Sequence, residues 1–213
     1  MMLGDLVSGR GIDEVVHFTI SHGCLGTLLT GMCQSRARLQ DDEMVKYLFS
    51  PNSALRKDIA YLDYVSLSLN HINARFYRTS AHSWHREKPI FWCILSFDPV
   101  ILTHPNVEFA TTNNMYTGVR RGVGVPGFEA LFAPVVTQYK SVMVRRGDGL
   151  HPRWTTCQQA EALYPGAVST EYLRCIYVQT LQDQSEVIGF IKATVHRDIE
   201  VRIAPEKFGE RVL

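Results

Sequence analysis

The sequence predicts an α+β domain built on a mostly antiparallel β-sheet core with flanking helices. Segments with strand patterning recur at 14–20, 64–69, 90–97, 107–111, 160–164, 173–179 and 199–203. Helical patterning between them is sparse and unevenly spaced, which argues against the regular alternation of a doubly wound parallel sheet. At 213 residues the chain is long enough for one substantial domain and short for two. No repeat or low-complexity segment divides it, so a single domain is expected over residues 1–213.

The first strand is Glu14-Val15-Val16-His17-Phe18-Thr19-Ile20, closed by a turn at Ser21-His22-Gly23. Leu25, Leu28 and Leu29 then recur at helical spacing, and Gly31 is placed to end that helix at C′. Residues 34–58 are polar and mixed, helical in part, with Ser50-Pro51-Asn52-Ser53 as the entry to a short helix carrying Leu55 and Arg56. From 64 to 69, Val65, Leu67 and Leu69 alternate with Tyr64, Ser66 and Ser68, the pattern of a half-buried strand. Residues 90–97 are apolar almost throughout, as in a central strand covered on both faces. Between 118 and 157 the chain is rich in Gly, Pro and Arg, with one helical patch around Phe128–Phe132. Long irregular segments of that kind are often functional.

Hydrophobic residues make up 46% of the chain and charged residues 20%, the proportions of an ordinary globular protein. With a net charge of +1, a polyanionic partner would have to be held by local basic patches. Cys24, Cys33, Cys93, Cys157 and Cys175 are odd in number, form no CxxC and lie mostly in apolar runs. Buried free thiols in a reducing compartment are expected. No apolar run approaches membrane-spanning length, and the first 20 residues carry acids without a signal-type apolar core. The expectation is a cytoplasmic protein with no membrane partner.

Glu161 is the leading chemical candidate, a lone carboxylate between Ala160, Ala162 and Leu163 in an apolar strand. By pattern alone it is a solvent-facing strand residue or a group opening into a polar cleft, where burial would otherwise be costly. His17 and Thr19 share one strand face, because strand side chains alternate with period two. Each is a structural residue or half of a polar pair. Arg56 is a solvated helix residue or a planar fork for phosphate. Arg120, Arg121, Arg145, Arg146, His151, Arg153 and Trp154 gather cations and an aromatic just before Glu161. They are solubility charge on a loop or contacts for single-stranded nucleic acid. His82 and His85 lack further ligands, so no metal is expected. Gly122–Gly127 lacks the context of a P-loop or dinucleotide fingerprint.

Taken in order, His17-Phe18-Thr19, Arg56 before Asp63-Tyr64-Val65, residues 90–97 with Asp98-Pro99, Phe109-Ala110-Thr111-Thr112-Asn113-Asn114, and Gln159-Ala160-Glu161-Ala162-Leu163 resemble the DarT family. Members of that family are toxins of bacterial toxin–antitoxin pairs that ADP-ribosylate bases in single-stranded DNA. The resemblance implies an ADP-ribosyltransferase-like split sheet with NAD as co-substrate and no metal. It makes Glu161 and Arg56 catalytic and places His17, Thr19, Arg56 and Asn114 at the NAD site. It also implies a cognate antitoxin that removes the ADP-ribose, while the position of the basic residues directly before Glu161 marks 118–157 as the DNA-binding region. Thymine-modifying members carry an Asn soon after HxT and an aromatic, proline-rich continuation after DYV. This chain has Ser21-His22-Gly23 and Ser66–Asn73 there, more like the guanine-modifying branch. Transfer to RNA or protein, and a non-enzymatic nucleic-acid-binding module, are the rival readings.

Overall fold

The computed structural model describes residues 1–41, 59–86 and 90–211. In chain order the helices are α1 (Leu3–Gly9), α2 (Ser21–Thr30), α3 (Arg36–Asp41), α4 (Ala74–Thr79), α5 (Gly124–Ala130) and α6 (Leu181–Ala193). The strands are β1 (Val15–Ile20), β2 (Met32–Gln34), β3 (Tyr64–Leu69), β4 (Trp92–Phe97), β5 (Glu108–Ala110), β6 (Arg121–Val123), β7 (Val135–Thr137), β8 (Met143–Arg145), β9 (Glu161–Pro165), β10 (Ala167–Ser169), β11 (Leu173–Val178) and β12 (Glu200–Ile203). Eight strands form one sheet in the order β12-β11-β4-β1-β3-β9-β5-β6, while β2–β10 and β7–β8 pair separately. Only β11 and β12 run parallel within the large sheet.

The near-continuous apolar run of β4 has a direct structural cause. Cys93, Leu95 and Phe97 face a core shared with Val15, Cys24, Leu28, Leu67 and Val187, whereas Trp92 and Ile94 face Val16, Ile20, Tyr77 and Phe208. Burying a side chain such as Leu95 or Phe97 is worth roughly 1.5–3 kcal/mol. Helix α2 ends as anticipated, with Gly31 at a left-handed φ of 71°. Ser21-His22-Gly23, expected as a turn, instead form the first turn of α2. The chain passes straight from strand into helix, and the Ser21 amide donates to the Phe91 carbonyl at 2.9 Å.

The segment 118–157 is more ordered than its composition suggested, since it holds β6, α5 and the β7–β8 ribbon. Its helix covers Gly124–Ala130, earlier than the patch around Phe128–Phe132. The Gly-rich run there serves close backbone approach: a Cβ on Gly127 would sit 2.2 Å from the Gly122 carbonyl oxygen. The five thiols are all buried and free. Burial pushes the Cys33 thiol up to about 12 and that of Cys175 up to about 11. No helix among the described residues is long and apolar enough to cross a membrane.

One break in the sheet matters more than any pairing in it. Strand β1 pairs with β4 along its full length, from Val15↔Phe97 to Ile20↔Trp92. It pairs with β3 only at Val15↔Leu69 and Val16↔Ser68. The rest of β3 pairs with β9, from Tyr64↔Pro165 to Leu67↔Ala162. From His17 onward the sheet therefore opens as a wedge.

At the closed end of the wedge, Glu14 is buried and accepts hydrogen bonds from the Ser96 hydroxyl at 2.6 Å and the Tyr177 hydroxyl at 3.0 Å. It also pairs with Lys207, whose ammonium lies 4.4 Å from the centroid of the Tyr177 ring. Burial, then the adjacent Glu14 charge, pushes the Tyr177 hydroxyl well above its usual range. Removing one partner of such a pair strands the other charge. Lys207→Met is expected to cost about 3 kcal/mol in urea unfolding, and Glu14→Gln added to it is expected to recover part of that loss.

Candidate active site

The wedge is a cavity walled by β1 residues Val16–Ile20 on one side and by Tyr64, Val65, Ser66 and Ser68 of β3 on the other. His17 spans it: Nδ1–H donates to the Ser66 carbonyl at 2.9 Å. A carbonyl can only accept, so this contact places the proton of the neutral ring on Nδ1. Thr19 lies on the same wall, its Oγ1 so close to α2 that a Cβ on Gly23 would fall 2.2 Å from it. Phe18, Phe76 and Trp92 supply aromatic surface, with Phe18 and Phe76 ring centroids 5.6 Å apart.

Glu161 opens β9 and belongs to the lining of the same cavity. Its exposure is 4%, so the solvent-facing reading fails. A buried carboxylate needs donors, and the Asn114 backbone amide gives one to Oε2 at 2.8 Å. Asn114 is itself gripped twice by Arg121, whose Nε donates to Oδ1 at 2.6 Å and Nη2 to the carbonyl at 2.8 Å. The Arg121 guanidinium lies over the Tyr61 ring at 4.7 Å. Register explains the assembly: Ala110 of β5 stands opposite Glu161 on one side and Arg121 on the other. The buried Asn114 Nδ2 has no hydrogen-bond partner among the described residues, leaving a spare donor on the residue that clamps Glu161.

The structure thus brings His17, Thr19 and Glu161 to one cavity and sets Asn114 behind Glu161, while Arg56 lies outside the described residues. The basic residues of 118–157 divide. Arg146 staples its own loop, donating to the carbonyls of Trp154 at 2.6 Å and His151 at 3.1 Å. Arg153 pairs with Asp13 at 2.6 Å, and Trp154 is half-buried beneath Arg153 and Arg211. Arg120, Arg121, Arg145 and His151 are exposed. Sequence reasoning missed Asn73, whose Oδ1 accepts from the Phe76 amide at 3.1 Å as the cap of α4. Its Nδ2 is buried without a hydrogen-bond partner among the described residues, in a residue that lines the cavity. An Asn ahead of Ala74-Arg75-Phe76-Tyr77 was the available signal for that cap.

A family model described as "ssDNA thymidine ADP-ribosyltransferase, DarT" matches residues 16–209. The chain belongs to the DarT family. No curated protein matches it. Among solved structures, the DarT of Thermus sp. 2.9 in complex with carba-NAD+ aligns with a TM-score of 0.63 at 13% identity, covering 92% of this chain and 97% of that one. The same protein in complex with ADP-ribosylated ssDNA gives 0.58 at 15%, covering 92% and 96%. Thermosipho africanus DarTG in complex with ADP-ribose gives 0.59 at 16%, covering 92% of this chain. The chain spans about half, 51%, of that protein. At these identities the likeness speaks for the DarT fold.

In this DarT-family chain Arg121 grips Asn114 at two points, whereas the sequence reading expects it to meet DNA phosphate. Lys keeps the charge but loses the two-point grip. Arg121→Lys is expected to lower kcat for ADP-ribose transfer roughly tenfold, a loss of about 1.4 kcal/mol, with the oligonucleotide KM retained. A raised KM with a shallower salt dependence would mark a phosphate contact instead.

Proposed function

We propose that this chain transfers ADP-ribose from NAD onto a base in single-stranded DNA, guanine in preference to thymine, as the toxin of a toxin–antitoxin pair. The observation that carries the reading is Glu161 buried in the wall of the wedge that His17 and Thr19 also line. NAD supplies a ribose whose glycosidic bond to nicotinamide breaks with positive charge building on the sugar, as in glycoside cleavage. Glu161, fixed by the Asn114 amide, is aimed to stabilise that charge and to take the proton from the attacking base. His17, oriented by Ser66, and Thr19 hold the nicotinamide riboside, and the Nδ2 of Asn73, without a partner among the described residues, offers a further donor in the same wall. Arg56 is assigned to the pyrophosphate and to assisting catalysis, and Asn114 to the NAD side of the site.

Exposed Arg120, Arg145 and His151 suit phosphate contacts on the strand that carries the base. Exposed Arg121 belongs to the same surface while gripping Asn114, and half-buried Arg146, Arg153 and Trp154 brace it. The guanine preference rests on Ser21-His22-Gly23 and on Ser66–Asn73, two departures from thymine-modifying members that contribute residues to the cavity wall. The family description names thymidine, so thymine is the competing acceptor. A base carrying ADP-ribose blocks polymerases, which makes a neutralising antitoxin that removes the group the expected partner.

Labelled NAD with four oligonucleotides, each offering one base in a neutral context, tests the proposal. Label is expected on the guanine oligonucleotide alone, lowered at least about 100-fold in Glu161→Ala. Label on thymine alone would overturn the base assignment. Label on RNA or protein with none on DNA would overturn the acceptor.

A further inference from the structure

Beside Glu161, the molecule carries an aromatic pair that the proposed chemistry does not use. Tyr116 lies on the same loop as Asn114, and its hydroxyl donates to Gln159 Oε1 at 2.8 Å. Gln159 is buried two residues before Glu161. The loop is tightened by the Asn113 side chain, which accepts from the Met115 amide at 3.0 Å, and by the Tyr116 amide donating to the Asn113 carbonyl at 3.0 Å. The Tyr116 ring is therefore held at a set position relative to the Glu161 carboxylate.

Tyr139 meets it from the tip of the β7–β8 ribbon, with ring centroids 5.1 Å apart and planes inclined at 42°. That tip projects through two successive left-handed residues, Lys140 at φ 53° and Ser141 at φ 59°. Tyr139 is 52% exposed, so core burial does not account for an aromatic at this point. A cation stands at the pair. The Lys140 ammonium lies 5.5 Å from the Tyr139 centroid, and exposed Arg75 follows Asn73 and precedes cavity-lining Phe76. Arg75 has no ion-pair partner among the described residues. Burial raises the Tyr116 hydroxyl, while the Arg75 charge opposes that rise.

We propose that Tyr116 and Tyr139 form a stacking shelf for the nucleobase adjacent to the modified one, with Lys140 gripping a neighbouring phosphate. Accessible aromatic faces beside a cation suit single-stranded nucleic acid, because every base offers a π-face and every linkage a charge. The inference rests on single-stranded DNA as the acceptor. It adds a second base-sized subsite outside the cavity, so that extended strands are preferred over short ones.

The test is a cycle between protein and DNA. Wild type, Tyr139→Ala and Tyr139→Phe are each assayed with oligonucleotides whose nucleotides flanking the target are intact or abasic. Tyr139→Ala is expected to raise the KM of the intact oligonucleotide about tenfold, with Tyr139→Phe close to wild type. On the abasic oligonucleotide the three are expected to converge. An equal penalty for Tyr139→Ala on both oligonucleotides, or none on either, would overturn the shelf while leaving the acceptor in place. Absence of transfer to any DNA by the wild-type chain would overturn the acceptor reading and the shelf with it. Melting temperatures of the variants, with and without NAD, separate a binding defect from a folding one.

Discussion

The departure of β1 from β3 after two residue pairs is the constraint on which the site depends. An unbroken sheet would satisfy its own backbone groups and leave no room between strands for a ligand. Here β4 holds β1 through six consecutive pairs and β9 holds β3 through four, so each strand is anchored on its far side and the two can part. The Glu14, Ser96, Tyr177 and Lys207 cluster fastens the end where they still touch. His17 spans the opening by donating to the Ser66 carbonyl, which satisfies a backbone acceptor exposed by the split.

The second constraint is the burial of Glu161. A carboxylate withdrawn from water is stabilised by donors already aimed at it. The Asn114 amide is one, and Arg121 keeps Asn114 in place through both its side chain and its carbonyl. Pre-positioned dipoles of this kind act without reorganising when charge develops nearby. The arrangement also explains why cations in the 118–157 segment do different work. Half-buried Arg146 and Arg153 are engaged in holding the fold, exposed Arg121 holds Asn114, and Arg120 and Arg145 face outward.

Much of the fold was legible because burial leaves simple periodicities. The alternation at Tyr64–Leu69 and the apolar run ending at Phe97 marked β3 and β4, and Gly31 marked the end of α2. Helix α6 escaped notice because Val187, Ile188 and Ile191 are interrupted by Gly189 and many polar residues. Its capping box, Thr180 with Asp183, was the signal to read. Strands β6, β7 and β8, of three residues each, are too short to carry a period. In the site, His17 and Thr19 share a face by strand alternation, but the importance of Glu161 came through resemblance. The grip of Arg121 on Asn114 arises from the register of three strands, which no local pattern encodes.

Hydrogen–deuterium exchange with and without carba-NAD tests the central claim most directly, that the wedge is the NAD site. The expected result is slowed exchange in peptides covering Val16–Ile20 and Tyr64–Ser68, together with the start of β9 at Glu161. Protection confined to the Arg120 and β7–β8 side of the molecule, with β1 and β3 unchanged, would contradict it.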